Sequence, residues 1–228
     1  MKALIFGATG MVGQGVLREC LAAADVVSVT TIGRTPVDTQ HPKLHQIVQA
    51  DLIDLQAVEP QLQESDACFF CLGVSSGGHS EAAYTRLTYD LTLAVASTLA
   101  RINPNCVFTY VTGAGTDSSE SGRVMWSRVK GRTENDLQKL PFRGVYIFRP
   151  GLIQPLHGIK SKTASYRLAY AVLNPVLPLA KRLFPNMILT TEEVGRAMLQ
   201  VARIGAGRAV LEAKDIARLA HEGLPGDI

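Results

Sequence analysis

The feature that most constrains the fold lies at the N-terminus, where the chain begins "MKALIFGATGMVGQGVLREC". An apolar run over residues 2–6 predicts a buried strand, and apolar positions at helical spacing from about Met11 to Ala24 predict a helix. Between them stand Gly7, Gly10 and Gly13, at three-residue intervals. A strand that turns on glycines directly into a helix is typical of the first unit of an α/β sheet.

The same alternation of apolar runs and helical patterns continues along the chain. It predicts helices that end near Glu64, lie between Glu81 and Ile102, and run from about Met125 to Leu140. The remaining strand candidates are "VVSVTTIG", "HQIVQAD", "DACFFCLG", "CVFTYVT" and "GVYIFRP". This order predicts an α/β fold, a doubly wound parallel sheet of the Rossmann type. We expect a single domain over 1–228, with a small C-terminal cap after Pro150 and an irregular substrate-side segment at 151–190.

Composition excludes several classes of function. The 23 basic residues exceed the 20 acidic ones by only 3 and are spread along the chain, which argues against a nucleic-acid partner. No run reaches the roughly 18 apolar residues of a membrane helix, and no signal-peptide pattern is present, so we expect no membrane association and a cytoplasmic location. Cys68 and Cys71 form a C-x-x-C pair, but three residues apart on a strand they point to opposite faces, so we interpret them as buried structural thiols with no metal.

The glycine loop is interpreted as a phosphate cradle. In a strand–turn–helix setting, glycines permit a tight turn and the close approach of a pyrophosphate, and the helix N-terminus offers N–H groups and a positive dipole end. The sequence therefore predicts that a dinucleotide binds here. The residues expected to contact it in this loop are Gly7, Thr9, Gly10, Met11, Val12 and Gly13.

The position about 20 residues beyond the last glycine distinguishes NAD from NADP, because an acid there binds the ribose 2′-hydroxyl. In this chain that position holds Gly33 and Arg34. With no acid present and a guanidinium able to receive a 2′-phosphate, we predict NADP(H) rather than NAD(H). The alternative is a solvated arginine. Asp51 and Leu52 stand where a third strand would meet the adenine, with helix capping as the alternative role for Asp51.

Several motifs resemble those of the atypical and extended short-chain dehydrogenase/reductases, over about residues 1–155. The motifs are "GATGMVG", "GR", "ADL", "CLG", "VTGAG", "VKGRTE" and "FRPGLI"; the last three are especially similar to the Tat-interacting-protein type of oxidoreductase and its small bacterial relatives. The resemblance implies that Thr112 touches the substrate carbonyl, and that Lys130 bonds the nicotinamide ribose as the lysine of a Tyr-x-x-x-Lys pair. It also implies cofactor contacts at Leu72, Gly73, Pro150, Gly151 and Ile153.

The chain departs from this pattern at the tyrosine, because Trp126 stands four residues before Lys130. An indole N–H donates a hydrogen bond but does not give up a proton as a phenol can. No lysine in the chain has a tyrosine four residues before it. Alternative proton donors are His157 and the pair Tyr166 and Tyr170, each with a structural role as the other interpretation. The polar loop "GAGTDSSESG" is expected to be mobile and to lie over the nicotinamide end.

Two functions follow. The first is an NADPH-dependent oxidoreductase acting on a small carbonyl, enone or quinone-like substrate, with Thr112, Trp126, Lys130 and His157 as the catalytic candidates. The second is a non-catalytic NADP(H)-binding regulator that acts through a protein partner, similar to regulators of nitrogen-metabolite repression, which lack the tyrosine. Lys130 favours the first and Trp126 the second. We expect a monomer or a homodimer.

Overall fold

The computed structural model describes residues 1–159, 181–182 and 187–222. The strands are β1 (Lys2–Phe6), β2 (Ser28–Gly33), β3 (Leu44–Val48), β4 (Ala67–Phe70), β5 (Val107–Val111), β6 (Gly144–Arg149), β7 (Leu152–Gln154), β8 (Ile188–Thr190) and β9 (Val210–Glu212). The helices are α1 (Met11–Ala22), α2 (Glu59–Leu62), α3 (Glu81–Thr85), a π-helical segment (Arg86–Asp90), α4 (Leu91–Ile102), α5 (Met125–Leu137), α6 (Thr191–Ile204) and α7 (Ala213–His221).

The described strands form a seven-stranded parallel sheet in the order β3-β2-β1-β4-β5-β6-β9, and β7 and β8 form a separate parallel pair. In the centre of the large sheet Ile5 lies opposite both Thr31 and Phe69. The predicted doubly wound α/β fold is confirmed. The strand order reverses between β1 and β4, and the crevice outside the carboxyl ends of those two strands is where such sheets bind ligands.

The central strands are mainly apolar because helices cover both faces of the sheet. Along β1, Ala3 and Ile5 belong to one core, and Leu4 and Phe6 belong to the other. The first core is completed by residues of α1, α6 and α7, and the second by residues of α4 and α5. Strand β1 is thus fixed from both sides, which sets the position of the glycine loop that follows it.

The chain after Pro150 is more regular than expected. Its helix α6 crosses α1 so closely that a Cβ at Gly15 would lie 2.4 Å from the carbonyl oxygen of Thr191. A capping box at Thr190 and Glu193 begins this helix, and β9 extends the main sheet beside β6. Most of the predicted irregular segment 151–190, including Tyr166 and Tyr170, lies outside the described residues.

Of the C-x-x-C pair, Cys68 is buried as expected and Cys71 is partly buried. Burial raises the pKa of Cys71 to about 12 and that of Cys68 well above its ordinary value, and both are free cysteines. Across the described ranges, no group of three or more histidine, cysteine and acidic side chains is arranged to hold a metal ion. None of the helices in the described part combines the length and the apolar character needed to cross a membrane.

Candidate functional site

The glycine loop is built by backbone contacts that leave no room for side chains. Gly7 has φ +79°, and a Cβ there would lie 2.8 Å from the backbone of Cys71 and Leu72 at the end of β4. A Cβ at Gly13 would lie 2.1 Å from the carbonyl oxygen of Gly7. Glycine is therefore required at both positions, because neither has room for a Cβ. Gly7 also has a positive φ that favours glycine. The loop lies at the reversal point of the sheet.

The first turn of α1 faces the same crevice. Gly10 is the N-cap residue, and its N–H donates to the carbonyl of Gly7 at 2.9 Å. The side-chain amide of Gln14 donates to the carbonyl of Thr9 at 3.1 Å, which fixes the loop over the helix start. The N–H groups of the first helical turn have no intrahelical acceptor, and the helix dipole is positive there. These residues fit the pyrophosphate of a dinucleotide.

A cavity of about 360 Å³ extends from this loop past the ends of β2 and β3. Among the described residues, no acidic side chain lines it, whereas Arg34 does. The guanidinium of Arg34 is exposed and forms no hydrogen bond or ion pair within the described part of the chain, so it is free to receive an anion. The predicted cofactor residues in this lining are Gly7, Thr9, Gly33, Arg34, Leu52 and Leu72.

Asp51 differs from its expected role at the adenine. It is exposed, it does not line the cavity, and its carboxylate accepts a hydrogen bond from the N–H of Ile53 at 2.9 Å. This bond closes a local turn in the loop before α2, and it is not the helix cap that the sequence offered as the alternative, since that helix begins only at Glu59. Its neighbour Leu52 is buried and supplies an apolar wall instead.

Thr112, at the end of β5, also differs from its expected role. Its side chain is buried, and the hydroxyl oxygen lies 2.6 Å from a carboxylate oxygen of Glu134 and 3.3 Å from the carbonyl oxygen of Phe148. Because both neighbours accept hydrogen bonds, the single hydroxyl proton is directed into the protein. The hydroxyl therefore has no proton left to donate to a substrate carbonyl.

Lys130 lies on α5 beside the same residue. Its Nζ donates to the carbonyl oxygen of Thr112 at 2.9 Å. Burial lowers the pKa of Lys130 from 10.5 to about 8, and the charge of Glu134, one turn further along the helix, opposes that shift. The structure thus places the ammonium group of Lys130 directly beside the end of β5.

An ion pair that the sequence analysis did not single out supports this arrangement. Glu134 is fully buried, and Arg149, at the end of β6, places Nε 3.1 Å from each of its carboxylate oxygens. Arg149 also donates to Ser118 at 2.6 Å and contacts Glu212 at 3.3 Å. The available signals were a glutamate four residues after Lys130 and an arginine at the end of an apolar strand.

Trp126 is the second residue of α5 and is half-buried. A Cβ at Gly115 would lie 3.7 Å from its ring atom Cη2, so the indole packs against the loop that follows β5. The next residue, Ser127, donates to the carbonyl of Gly115 and ties the loop to the helix. The structure therefore places Trp126 beside the β5 end, with its ring against backbone.

The loop after β5 is anchored, which corrects the expectation that it is mobile. The carboxylate of Asp117 accepts from the N–H groups of Ser119 and Gly122 at 3.0 and 2.7 Å. A Cβ at Gly131 would lie 1.8 Å from the carbonyl oxygen of Asp117, so the loop backbone rests directly on α5. The amide of Asn135 donates to the carbonyl of Ser118 at 3.0 Å.

His157 is not brought to Thr112 and Lys130. It is exposed, its Nε2 lies 2.8 Å from a carboxylate oxygen of Glu192 on α6, and it lines a different cavity on the outer side of α1. This hydrogen bond to Glu192 explains the position of His157 without a catalytic role. The expected proton donor at this position is therefore away from the β5 end.

Of the remaining residues predicted to contact the cofactor, some lie near the site and others pack elsewhere in the protein. The carbonyl of Pro150 accepts from the N–H of Ala114 at 2.9 Å, which places Pro150 beside the loop after β5. Gly73 is exposed just after Leu72. Gly151 packs against the carbonyl of Met187, and Ile153 is buried in the core that contains α1 and α6. The structure thus brings Pro150 to the site and uses Ile153 for packing.

Comparison with solved structures agrees with this fold. The chain superimposes on the Bordetella bronchiseptica enzyme WbmF in complex with NAD+ with a TM-score of 0.68, at 16% identity, covering 96% of this chain and 76% of that one. It superimposes on UDP-glucuronic acid 4-epimerase from Bacillus cereus, in complex with UDP-glucuronic acid and NAD, with a TM-score of 0.64, at 14% identity, covering 93% and 77%. Both complexes hold a nicotinamide cofactor.

Relatives of similar size are known. The protein HTATIP2 of Rattus norvegicus is 29% identical over 152 residues, covering 65% of this chain and 61% of that protein. The mitochondrial protein FMP52-2 of Scheffersomyces stipitis is 28% identical over 153 residues, covering 66% of each. The chain thus spans less than two thirds of the length of these two relatives. The mitochondrial protein FMP52 of Chaetomium globosum is 25% identical over 230 residues, covering 95% of each.

These relatives correct one expectation and confirm another. Several of them are named as mitochondrial, which contradicts the cytoplasmic location expected from the sequence. The resemblance to Tat-interacting-protein-type oxidoreductases is confirmed. The model of the NAD dependent epimerase/dehydratase family matches residues 3–124, which is more than half of the 228 residues. This chain belongs to the NAD dependent epimerase/dehydratase family.

Proposed function

We propose that this protein is an NADP(H)-dependent oxidoreductase that reduces a small carbonyl, enone or quinone-like acceptor. The observation that carries the proposal is the cavity beside the glycine loop, where Arg34 is present and the described residues place no carboxylate in the wall. A carboxylate there would select the ribose 2′-hydroxyl and repel a 2′-phosphate. An unpaired guanidinium is instead suited to bidentate contact with a phosphate.

Each part of the cofactor would be held by residues already described. The loop from Gly7 to Gly13 and the start of α1 would bind the pyrophosphate, and Arg34 would bind the 2′-phosphate. Leu52 and Leu72 supply apolar walls to the cavity. When bound, the dihydronicotinamide supplies a hydride. The solved relatives named above are complexes with NAD, so the preference for NADP(H) rests on this chain's own Arg34.

At the other end of the site, this chain provides a partly buried ammonium group, that of Lys130. Lys130 is fixed by the carbonyl of Thr112 and presents its remaining N–H groups beside the β5 end. A fixed positive charge in a partly dry site stabilises negative charge that develops on an acceptor oxygen. A quinone-like acceptor needs little further help from an acid, which is compatible with Trp126 at the position of the usual phenol.

A second function is favoured by a specific observation. Trp126 replaces the tyrosine, and the hydroxyl of Thr112 donates into the protein rather than towards a substrate. Both features suit a non-catalytic NADP(H)-binding regulator whose cofactor occupancy is recognised by a protein partner. The partly buried Lys130 favours the enzyme, because withdrawing a charge from water without an ionic partner in contact lowers stability, and a role in the site would explain its presence.

The test is a screen for NADPH oxidation with quinones, enones and aldehydes as acceptors. Oxidation is measured as the loss of NADPH absorbance. We expect oxidation with at least one quinone-like acceptor, and faster oxidation of NADPH than of NADH. Tight NADPH binding without oxidation by any acceptor would favour the regulator. Failure to bind either nucleotide would exclude both functions.

A further inference from the structure

We propose that Lys130 is the proton donor of this site, and that Glu134 is the residue that positions it and keeps it charged. The inference rests on the proposed reductase function and names the group that replaces the missing phenol. It follows from three side chains at the end of β5 and the start of α5: Trp126, Thr112 and Lys130.

Two of these three cannot supply a proton. The indole N–H of Trp126 donates hydrogen bonds but stays protonated at any physiological pH. The hydroxyl proton of Thr112 is directed at the buried carboxylate of Glu134, at a distance of 2.6 Å. Lys130 has three N–H bonds on Nζ, and the only hydrogen bond it forms among the described residues uses one of them, towards the carbonyl of Thr112. Two N–H bonds are left for an acceptor oxygen.

The environment of Lys130 makes its proton transferable near neutral pH. Burial lowers the pKa of Lys130 to about 8. An acid with a pKa close to the working pH is mostly protonated and still gives up its proton readily. An exposed lysine, with an ordinary pKa of about 10.4, would be a much weaker acid.

Glu134 is the charged group that acts on Lys130. It follows Lys130 by four residues on α5, and its negative charge opposes the loss of the lysine proton. Arg149 approaches Glu134 from β6 and keeps the carboxylate fixed. The phenol of Tyr110 on β5 is fully buried, and burial raises its pKa, so it stays neutral.

Several other charged or polar groups on the elements around α5 have partners of their own, whereas Arg86 and Asp90 of the π-helical segment are exposed to solvent. Glu81 on α3 pairs with Arg128, and Asp117 in the loop binds Ser119 and Gly122. Tyr89 of the π-helical segment donates to Asp136 and lies under Arg132. Tyr84 on α3 is buried.

In the proposed step the acceptor carbon takes the hydride that NADPH would supply, which leaves NADP⁺. At the same time the carbonyl oxygen takes a proton from Nζ of Lys130. One N–H bond breaks and one O–H bond forms, so the carbonyl becomes an alcohol and Lys130 becomes neutral. Solvent then returns a proton to Lys130, whose charge is favoured by Glu134. Glu134 does not touch the acceptor and acts through Lys130 and Thr112 alone.

The first test compares Lys130→Arg with the unchanged protein on an aldehyde and on a quinone. Arginine keeps the positive charge for the cofactor ribose but cannot release a proton at neutral pH. We expect NADPH affinity to change by less than about 3-fold, aldehyde reduction to fall on the order of 100-fold, and quinone reduction to fall by less than about 10-fold. Equal losses of activity with the aldehyde and the quinone, or unchanged aldehyde reduction, would overturn the assignment of Lys130 as proton donor and leave the proposed function standing. Absence of oxidation with every acceptor would overturn the proposed function as well.

The second test needs neither cofactor nor turnover. The rate of amine acylation at Lys130, followed by mass spectrometry as a function of pH, reports the fraction of neutral lysine. We expect a midpoint near the pKa of about 8 in the unchanged protein. A midpoint near the ordinary lysine value would overturn the inference, and this result does not depend on any variant being folded.

A matched pair of variants then tests Glu134. Glu134→Gln should move the acylation midpoint of Lys130 to lower pH, because the opposing negative charge is lost. Glu81→Gln is the control, since Glu81 also pairs with an arginine of α5 but is not among the causes that shift Lys130. Aldehyde reduction declines above the pH at which Lys130 loses its proton. In Glu134→Gln this decline should therefore begin at a lower pH, in step with the acylation midpoint of Lys130. Identical midpoints in the two variants would show that Glu134 has only a structural role.

Discussion

The hydroxyl of Thr112 donates a 2.6 Å hydrogen bond to the buried carboxylate of Glu134, which Arg149 holds from the neighbouring strand. This bond makes Thr112 a supporting residue rather than a donor to a substrate. The carbonyl of the same threonine accepts from Lys130, so one residue links the buried ion pair to the ammonium group of the site. The chemistry that remains at this end of the sheet depends on Lys130.

Charge at position 34 should decide the choice of nucleotide. We expect Arg34→Asp to weaken NADPH binding by roughly 10- to 100-fold, because a charge-assisted contact with the 2′-phosphate is lost. NADH should then bind as tightly as NADPH or more tightly, because the new carboxylate accepts hydrogen bonds from the ribose hydroxyls. Calorimetric titration with each nucleotide measures the change. Lys214→Asp is the control, since it makes the same change of charge at an exposed position on α7. Equal effects of the two variants would remove the 2′-phosphate assignment.

Two glycines of the loop should respond differently to substitution. At Gly10 a Cβ would meet the Gly7 carbonyl at 3.3 Å, a contact that small shifts relieve, whereas at Gly13 the distance is 2.1 Å. We expect Gly10→Val to abolish nucleotide binding while the far-UV circular dichroism stays that of a folded protein. Gly13→Ala should lower the free energy of unfolding by about 1–3 kcal/mol or more. Unchanged affinity in Gly10→Val would remove the phosphate cradle.

The buried thiols make stability depend on alkaline pH. The ordinary thiol pKa of 9.0 is raised to about 12 in Cys71 and Cys106, and it is also raised in Cys20 and Cys68. Above pH 9.0 the unfolded chain releases these protons while the folded one keeps them, so the free energy of unfolding falls as pH rises towards 12. Each thiol contributes about 1.4 kcal/mol per pH unit in this range. Between about pH 8 and 10.5, Lys130 alone would make the free energy of unfolding rise with pH, because its pKa is lowered in the folded protein. The combined effect of the four thiols is larger and of opposite sign.

Denaturant titrations at a series of pH values measure this effect. Cys106→Ala should make the decline shallower, because one of the four ionising groups is removed. Thiol-specific reagents should label these cysteines only after unfolding. A constant free energy of unfolding above pH 9.0, or rapid labelling of the folded protein, would contradict the structural interpretation of the C-x-x-C pair.

Restoring the phenol should raise carbonyl reduction. Trp126 packs at the start of α5, four residues before Lys130, and a tyrosine there would place a phenol on the same helix face as the ammonium group. We expect Trp126→Tyr to raise aldehyde reduction by about 10-fold or more. Trp126→Phe provides the control for the smaller ring without the hydroxyl. No gain of the tyrosine over the phenylalanine variant would show that the site has diverged at more than one position.

The sequence predicted the sheet and the cradle because both depend on local patterns. The runs that form β1, β4 and β5 are apolar on both faces, and Gly7 and Gly13 are followed directly by a helix, so neither inference needed tertiary contacts. Arg34 was found by its distance in sequence from the glycines. These signals lie within about 35 residues of the N-terminus or repeat along the chain.

The supporting network was missed because its partners are distant in sequence and charged. Glu134 and Arg149 belong to different elements, and charged residues are ordinarily assigned to the surface. Only the packing of α5 on β5 and β6 reveals that Glu134 is buried and that Thr112 donates to it. His157 was misplaced for the same reason, since its position depends on Glu192 of α6, a helix that the pattern after Pro150 did not predict.

The most direct test of the account is a calorimetric titration of the unchanged protein with NADPH and with NADH under identical conditions. The glycine cradle and Arg34 predict that both nucleotides bind and that NADPH binds at least about 10-fold more tightly. Equal affinities, or tighter binding of NADH, would contradict the assignment of Arg34. Absence of binding by either nucleotide would contradict the cradle itself.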